Sequence, residues 1–491
     1  MSNRLLLSLL TALLCLSVAC VVNPVTQRPD VVLVSDEQEV EAGNEAAEQI
    51  PSVMGIVEDR RLTGYVAEVG KRVAAYAPER PITYTFQIID LPEPNAFALP
   101  GGHVYVSRGI LMLANDEDEL ANVIAHEVIH VAARHHAQRQ ARVAGVGLLA
   151  LPGLLAGALL PGTLGAVVSA PFAVAGIGAI ANYSREQELE ADRFGQQISA
   201  QAGYDPKALS VFLDDLERAT RLATGEDQRS SWFDSHPSTP RRANDARRRA
   251  VDLTIAAADP VAPTREAYLQ RIEGVMVGVN PAEGVFEGQR FLHPDMRFTL
   301  VFPDEWKTVN TRAAVGAVSP GRDAQLVLQL DSKGDDPREA SSAFFTELRQ
   351  QARVDVARLD ALEIDGLKAV RGQAVVNRSA TVDLTWIAYR GDIFLLAGVV
   401  PKGYSDAHRA LFGRVGLSFR PITAAEREGI REQRLRLQTA RAGESLASFG
   451  ARVGNAWSPE ETAVANGLAK DASLGDGQLL KVAIPQAYPG S

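Results

Sequence analysis

Cysteine is nearly absent. The 491 residues contain two, Cys15 and Cys20. Nothing beyond residue 20 can form a disulfide, bind a metal through thiolate or act as a thiol nucleophile. Aromatic residues are scarce, at 6%. Positive charge is in deficit, with 50 Lys and Arg against 60 Asp and Glu and a formal net charge of -10. That balance argues against nucleic acid as a partner, because phosphate neutralisation needs a basic surface. Uncharged runs are few. One covers residues 5–18 and the other residues 143–184. The length itself exceeds what one core supports and predicts several domains.

The first run follows Arg4 and is too short to span a bilayer. It has the pattern of a cleavable export signal over residues 1–19. Leu16-Ser17-Val18-Ala19-Cys20 resembles a bacterial lipobox, although Ser17 stands where Leu is usual. The resemblance implies that Cys20 is lipidated as the first residue of the mature chain. Val21 rather than Asp follows it, which implies a periplasmic protein held at the outer membrane. Residues 20–45, polar and acidic with Pro24 and Pro29, read as the tether behind that anchor.

A helical pattern occupies residues 46–80, and residues 82–90 alternate as a strand. A turn-rich loop at 95–102 leads to a short strand at 103–107. Residues 117–141 read as one strong helix, opened by acidic residues that suit its dipole. Another helix starts near Ser184, and more follow to about residue 255. The uncharged stretch at 143–184, broken by Pro152, Pro161 and Pro171, reads as a hydrophobic hairpin near the helix pair. Asp259–Pro263 reads as a linker. Residues 265–420 alternate strands with helices as a separate α+β unit. Residues 421–438 read as a charged helix or linker, and residues 439–485 as a small module.

The chemistry concentrates at His126-Glu127-Val128-Ile129-His130. Residues four apart on a helix share a face, so both imidazoles can reach one metal ion. Glu127 lies beside that metal, where a general base for an activated water must stand. A catalytic zinc keeps three protein ligands and an open position. Glu188, on the later helix, is the candidate third ligand. Asp192, one turn on, is placed to accept the free N–H of a ligand histidine.

Four segments resemble the HtpX, BepA and CAAX prenyl protease family of zinc metallopeptidases. They are His126-Glu-Val-Ile-His-Val-Ala-Ala-Arg-His135, Ser184-Arg-Glu-Gln-Glu-Leu-Glu-Ala-Asp-Arg-Phe-Gly195, Asn95-Ala-Phe-Ala-Leu-Pro-Gly-Gly102 and Ser235-His-Pro-Ser-Thr-Pro-Arg241. The likeness covers about residues 45–255 and is nearest the periplasmic BepA-like branch. It implies a mostly helical gluzincin fold with a small sheet over residues 46–255. It also implies Zn2+ on His126, His130 and Glu188, with Glu127 as base and Asp192 behind the ligands. His236 becomes a candidate gate or oxyanion donor. Asn95–Gly102 becomes an edge strand that holds extended substrate.

Downstream, Phe291–Trp306 and the strands after it are similar to a PsbP/Mog1-like sandwich. Ala442–Leu446, Asn466–Leu468 and Gly477–Pro485 resemble a LysM module, which implies peptidoglycan as a partner of residues 439–485. The whole reads as an α+β protein: peptidase domain, α+β sandwich, and linker with LysM-like module over 421–491. Three functions stay open. One is an envelope endopeptidase acting on misfolded or stalled envelope proteins. Another is a lipoprotein chaperone or assembly factor that binds unfolded clients and seldom cuts. The third is a wall-binding structural lipoprotein centred on the tail.

Overall fold

A computed structural model of the chain describes residues 20–143, 183–223, 232, 236, 240–378, 380–401 and 403–490. The expected export signal and nearly all of the uncharged stretch, with its expected hairpin, lie outside the described residues.

The chain enters through a hairpin, β1 (Cys20–Val22) paired with β2 (Pro29–Val31). Helix α1 (Asp36–Val53) follows, opened by a reciprocal capping box between Ser35 and Gln38. Residues 20–45 therefore fold where a tether was expected. Their polar, proline-containing composition conceals two buried anchors, Val25 and Val32. Helix α2 (Arg60–Ala74) buries Leu62, Val66, Val69 and Val73, one stripe at spacings of three and four. Then come β3 (Thr85–Ile89), β4 (Ala96–Leu99) and β5 (His103–Ser107). They form a small sheet ordered β3-β5-β4, parallel between β3 and β5 and antiparallel between β5 and β4. The segment read first as a loop is thus an edge strand ending in Gly101 and Gly102, both at positive φ.

Helices α3 (Arg108–Leu113), α4 (Glu117–Ala132) and α5 (His135–Val143) follow. The expected single helix breaks at Arg134, which takes φ 59°. Its guanidinium is held by Glu39 at 3.0 Å and by the Val34 carbonyl at 2.8 Å. Helix α4 is buried on every side rather than along one stripe. Helices α6 (Arg185–Gln201), α7 (Ala208–Ala223), α8 (Pro240–Ala250) and α9 (Arg265–Ile272) complete the bundle around it. Helix α6 reaches α4 closely at Gly195, where a Cβ would stand 3.1 Å from the His126 amide nitrogen. That approach lets Glu188 and Asp192, on the same face of α6, point at α4.

The middle unit has a four-stranded sheet, ordered β17-β9-β8-β7, built from β7 (Val285–Glu287), β8 (Arg290–His293), β9 (Phe298–Val301) and β17 (Arg420–Pro421). It also has a seven-stranded antiparallel sheet built from β10 (Lys307–Asn310), β11 (Ala314–Val318), β12 (Gln325–Lys333), β13 (Val354–Ile364), β14 (Leu367–Val376), β15 (Ala380–Tyr389) and β16 (Asp392–Val400). Its order is β10-β11-β12-β16-β15-β14-β13. One face packs on α10 (Pro337–Gln351) through Phe344, Phe345 and Trp386. The other packs on Phe298, Leu300 and Phe412.

Near the end, residues 421–438 form a short helix at Ala424–Gly429 and then β18 (Arg431–Thr439), not one charged helix. Strand β18 pairs along its length with β19 (Leu479–Ala487), and on its other edge with β6 (Met276–Val277). Between β18 and β19 lie two helices, Leu446–Val453 and Pro459–Ala465. Leu435, Val464 and Ala483 of this unit belong to the same apolar core as α4.

Candidate metal centre

His126 and His130 sit one turn apart on α4, and both are fully buried. Their Nε2 atoms face each other at 3.0 Å. Glu188 closes the third side, with Oε1 3.3 Å from His130 Nε2 and Oε2 3.6 Å from His126 Nε2. His236 fills the fourth, its Nδ1 3.2 Å from His126 Nε2 and 3.0 Å from Glu188 Oε1. One donor atom from each of the four residues falls within 4.8 Å of the others.

The neighbouring groups set the tautomers. His126 Nδ1 stands 3.0 Å from Asp192 Oδ1, and the carboxylate favours the proton on that nitrogen. His130 Nδ1 is 2.8 Å from His135 Nδ1, and His135 Nε2 is 3.3 Å from Glu190 Oε1. A proton on His135 Nε2 for Glu190 leaves His135 Nδ1 to accept from His130. Both facing Nε2 atoms then hold lone pairs 3.0 Å apart. That arrangement is repulsive unless a cation lies between them, and two imidazoles with one carboxylate are the donor set that zinc takes. The residues present therefore fit a divalent metal.

Electrostatics agree. Burial pushes His130 well below the usual histidine range, which keeps it neutral. For Glu188 burial works upward, but His236 and Arg242 outweigh it and hold the carboxyl well below the usual range. Asp192 responds alike: burial opposes, yet Arg242 and the His126 N–H bring it to about 2. Burial alone would lower His236, but Glu188 and Glu127 raise it.

Glu127 is fully buried and points beside the cluster. Its Oε1 accepts from Trp232 Nε1 at 3.2 Å and lies 3.4 Å from His236 Nε2. Its Oε2 has no hydrogen-bond partner among the described residues, which leaves that oxygen available for a proton. The Trp232 ring stacks on His236 at 4.5 Å, and its amide donates to the Pro94 carbonyl at 3.1 Å. Trp232 is thereby fixed just before β4, and its ring backs His236.

Every site residue read from the sequence within the peptidase unit, namely His126, Glu127, His130, Glu188, Asp192 and His236, meets here. Four others were not singled out as site residues. Arg242 donates bidentately to Asp192, at 2.8 and 2.7 Å, and reaches Glu188 Oε2 at 2.7 Å. The Ser235 segment was matched to an arginine at 241. Arg241 instead pairs with Asp245 on the surface. Counting S/T-HP-x-T-x-x-R from His236 ends on Arg242, so a one-residue register was the available signal. Tyr183 stacks on His130 at 3.7 Å, and its hydroxyl meets His136 Nε2 at 2.6 Å. His135 and Glu190 form the outer relay behind His130. Cys20 lies apart from this cluster in sequence, at the start of β1.

Two helix-borne imidazoles, a carboxylate from a second helix and a buried carboxylate beside them define a metallohydrolase centre of the HExxH type. Residues 60–250 match peptidase family M48, so the chain carries an M48 metallopeptidase domain. The beta-barrel assembly-enhancing protease of Escherichia coli is 32% identical over 228 residues, covering 44% of each chain. Mitochondrial metalloendopeptidase OMA1 of Schizosaccharomyces pombe is 33% identical over 227 residues, 45% of this chain and 63% of that one. The chain thus spans about half the length of the bacterial relatives it matches. A PsbP structure from Synechocystis aligns over 28% of this chain and 95% of that one, at 15% identity and a TM-score of 0.24.

Proposed function

We propose that the protein is a zinc-dependent endopeptidase of the bacterial cell envelope, lipidated at Cys20 and held at the outer membrane, that cuts misfolded or stalled envelope proteins. The observation that carries this reading is the convergence of His126, His130 and Glu188 with Glu127 beside them. Zinc bound there supplies a Lewis acid that activates water and polarises a peptide carbonyl. Glu127 Oε2 takes the proton from the attacking water and passes it to the leaving amine. Asp192 and Arg242 hold His126 and Glu188 in orientation. Strand β4 is the sheet edge along which an extended client would pair through its main chain, which suits unfolded substrates of varied sequence.

His236 stands in the corner that water and substrate need. It acts as a gate in the resting chain, and once displaced it is within reach to stabilise the oxyanion. Access then requires the His236 side chain to leave its place between His126 and Glu188. The order β18, two helices, β19 supports a LysM-like module that holds the enzyme near peptidoglycan.

Digestion of casein or an unfolded porin tests the reading. Glu127→Gln should lower the rate by about 10²–10⁴-fold while leaving zinc content near one per chain. His236→Ala should raise the basal rate if gating dominates. Clients that bind tightly but are cut equally slowly by wild type and Glu127→Gln would favour the chaperone reading instead. Pull-down of the full chain on peptidoglycan, with and without residues 439–485, tests the module.

A further inference from the structure

The N-terminal hairpin has two unlike faces. Directly paired residues of antiparallel strands share a face, and so do residues two apart. Cys20 pairs with Val31, and Val22 pairs with Pro29. By register, Cys20, Val22, Pro29 and Val31 therefore share one face, and Leu33 lies two residues past the end of β2. That face is apolar and open: Val22 is 57% exposed and Val31 55%, and Leu33 is likewise 57% exposed. The opposite face is bound into the protein. Val32 is buried there. Asp30 accepts from Asn23 and Gln138, each at 2.8 Å. Asn23 also donates to Glu190 at 3.2 Å, and Glu190 is the carboxylate behind His135 and His130. The hairpin is thus fixed to α5 and α6 and does not hang from them.

Large exposed apolar side chains grouped on one strand face mark an interaction surface. Here the occupant is indicated by Cys20, which stands on the same face and ends the lipobox-like run. We propose that this face is a bilayer-contacting patch: Val22, Val31 and Leu33 enter the lipid interface around the acylated Cys20 and hold the peptidase domain flush against the membrane. The inference rests on the lipid anchor of the proposed function. It adds that no slack separates anchor from metal centre, because Asn23, Glu190 and His135 connect the hairpin to His130. A patch of this kind supplements an acyl anchor through its buried apolar area.

The mature acylated chain would hold no free thiol, since Cys15 leaves with the export signal and Cys20 is blocked. Single cysteines can therefore be introduced and labelled with an environment-sensitive fluorophore. Val31→Cys and Leu33→Cys report on the patch, and Leu417→Cys, 60% exposed in the middle unit, is the control. The acylated full chain is reconstituted on vesicles of phosphatidylethanolamine and phosphatidylglycerol, some carrying doxyl-labelled lipid. Labels at 31 and 33 should shift to the blue and be quenched several-fold more than the label at 417. If the protein floats with the vesicles but all three labels stay aqueous, the patch is overturned and the anchor stands. If the acylation-competent chain floats no better than Cys20→Ala, the anchor fails and the patch falls with it.

Discussion

Arg242 concentrates more of the centre's order than any other side chain outside the donor set. It is buried, forks onto Asp192, touches Glu188 and lies 4.9 Å over the Trp232 ring. Removing it strands two buried carboxylates. Arg242→Gln should cost about 3–5 kcal/mol in chemical denaturation. Arg242→Lys should recover only part of that, because an ammonium cannot make the planar fork. Asp192 gives a prediction in pH. Burial raises its carboxyl but Arg242 and His126 bring it to about 2, below the ordinary 3.8. Its contribution is complete above about pH 4 and is lost as pH falls toward 2. Metal-free wild type should exceed Asp192→Asn by roughly 2 kcal/mol at neutral pH, and urea titrations should converge over that acid window. At this scale the sequence was legible wherever spacing along one helix decides the outcome. His126, Glu127 and His130 follow from a period of 3.6, and Glu188 and Asp192 from the same period on α6. Arg242, Trp232 and Tyr183 reach the centre from other segments, and no local period encodes such contacts.

At the scale of elements, the most informative contact comes from the far end of the chain. Lys481 on β19 is fully buried, and its Nζ donates to the carbonyls of Met112 and Ala114 at 2.8 Å and of Leu113 at 3.4 Å. Those are the last carbonyls of α3 and the residue after it, two positions before Asp116, the N-cap of α4. The ammonium suits a helix C-terminus. Lys481→Met would leave the carbonyls buried without a donor, and should cost about 1–3 kcal/mol by chemical denaturation. Several elements were hidden in the sequence for a related reason. Strand β18 reads as a charged segment because Arg431, Arg434 and Arg436 lie on it, yet Leu435, with Leu437 beside it, carries it into the core. The hairpin of β1 and β2 is too short to alternate visibly. By contrast β14, β15 and β16 were legible, because long runs of Val, Ile, Leu and aromatic residues need a covered sheet.

For the whole molecule, the core around α4 takes in Leu435, Val464 and Ala483 from the last unit, whereas the seven-stranded sheet packs into separate cores of its own. Calorimetry should therefore resolve two unfolding events. Chelation by EDTA should lower one, which carries the metal centre and the terminal unit together, and leave the other in place. A bound ion at about a thousand times its dissociation constant adds about 4 kcal/mol, so the shift is measurable. Lys481→Met should move that same event. The packing of β19 under α3 also sets a schedule. The contact closes only after all the chain between Met112 and Lys481, a separation of 369 positions, has been made. The seat of the helix that carries His126 and His130 is therefore among the last parts of the fold to be completed.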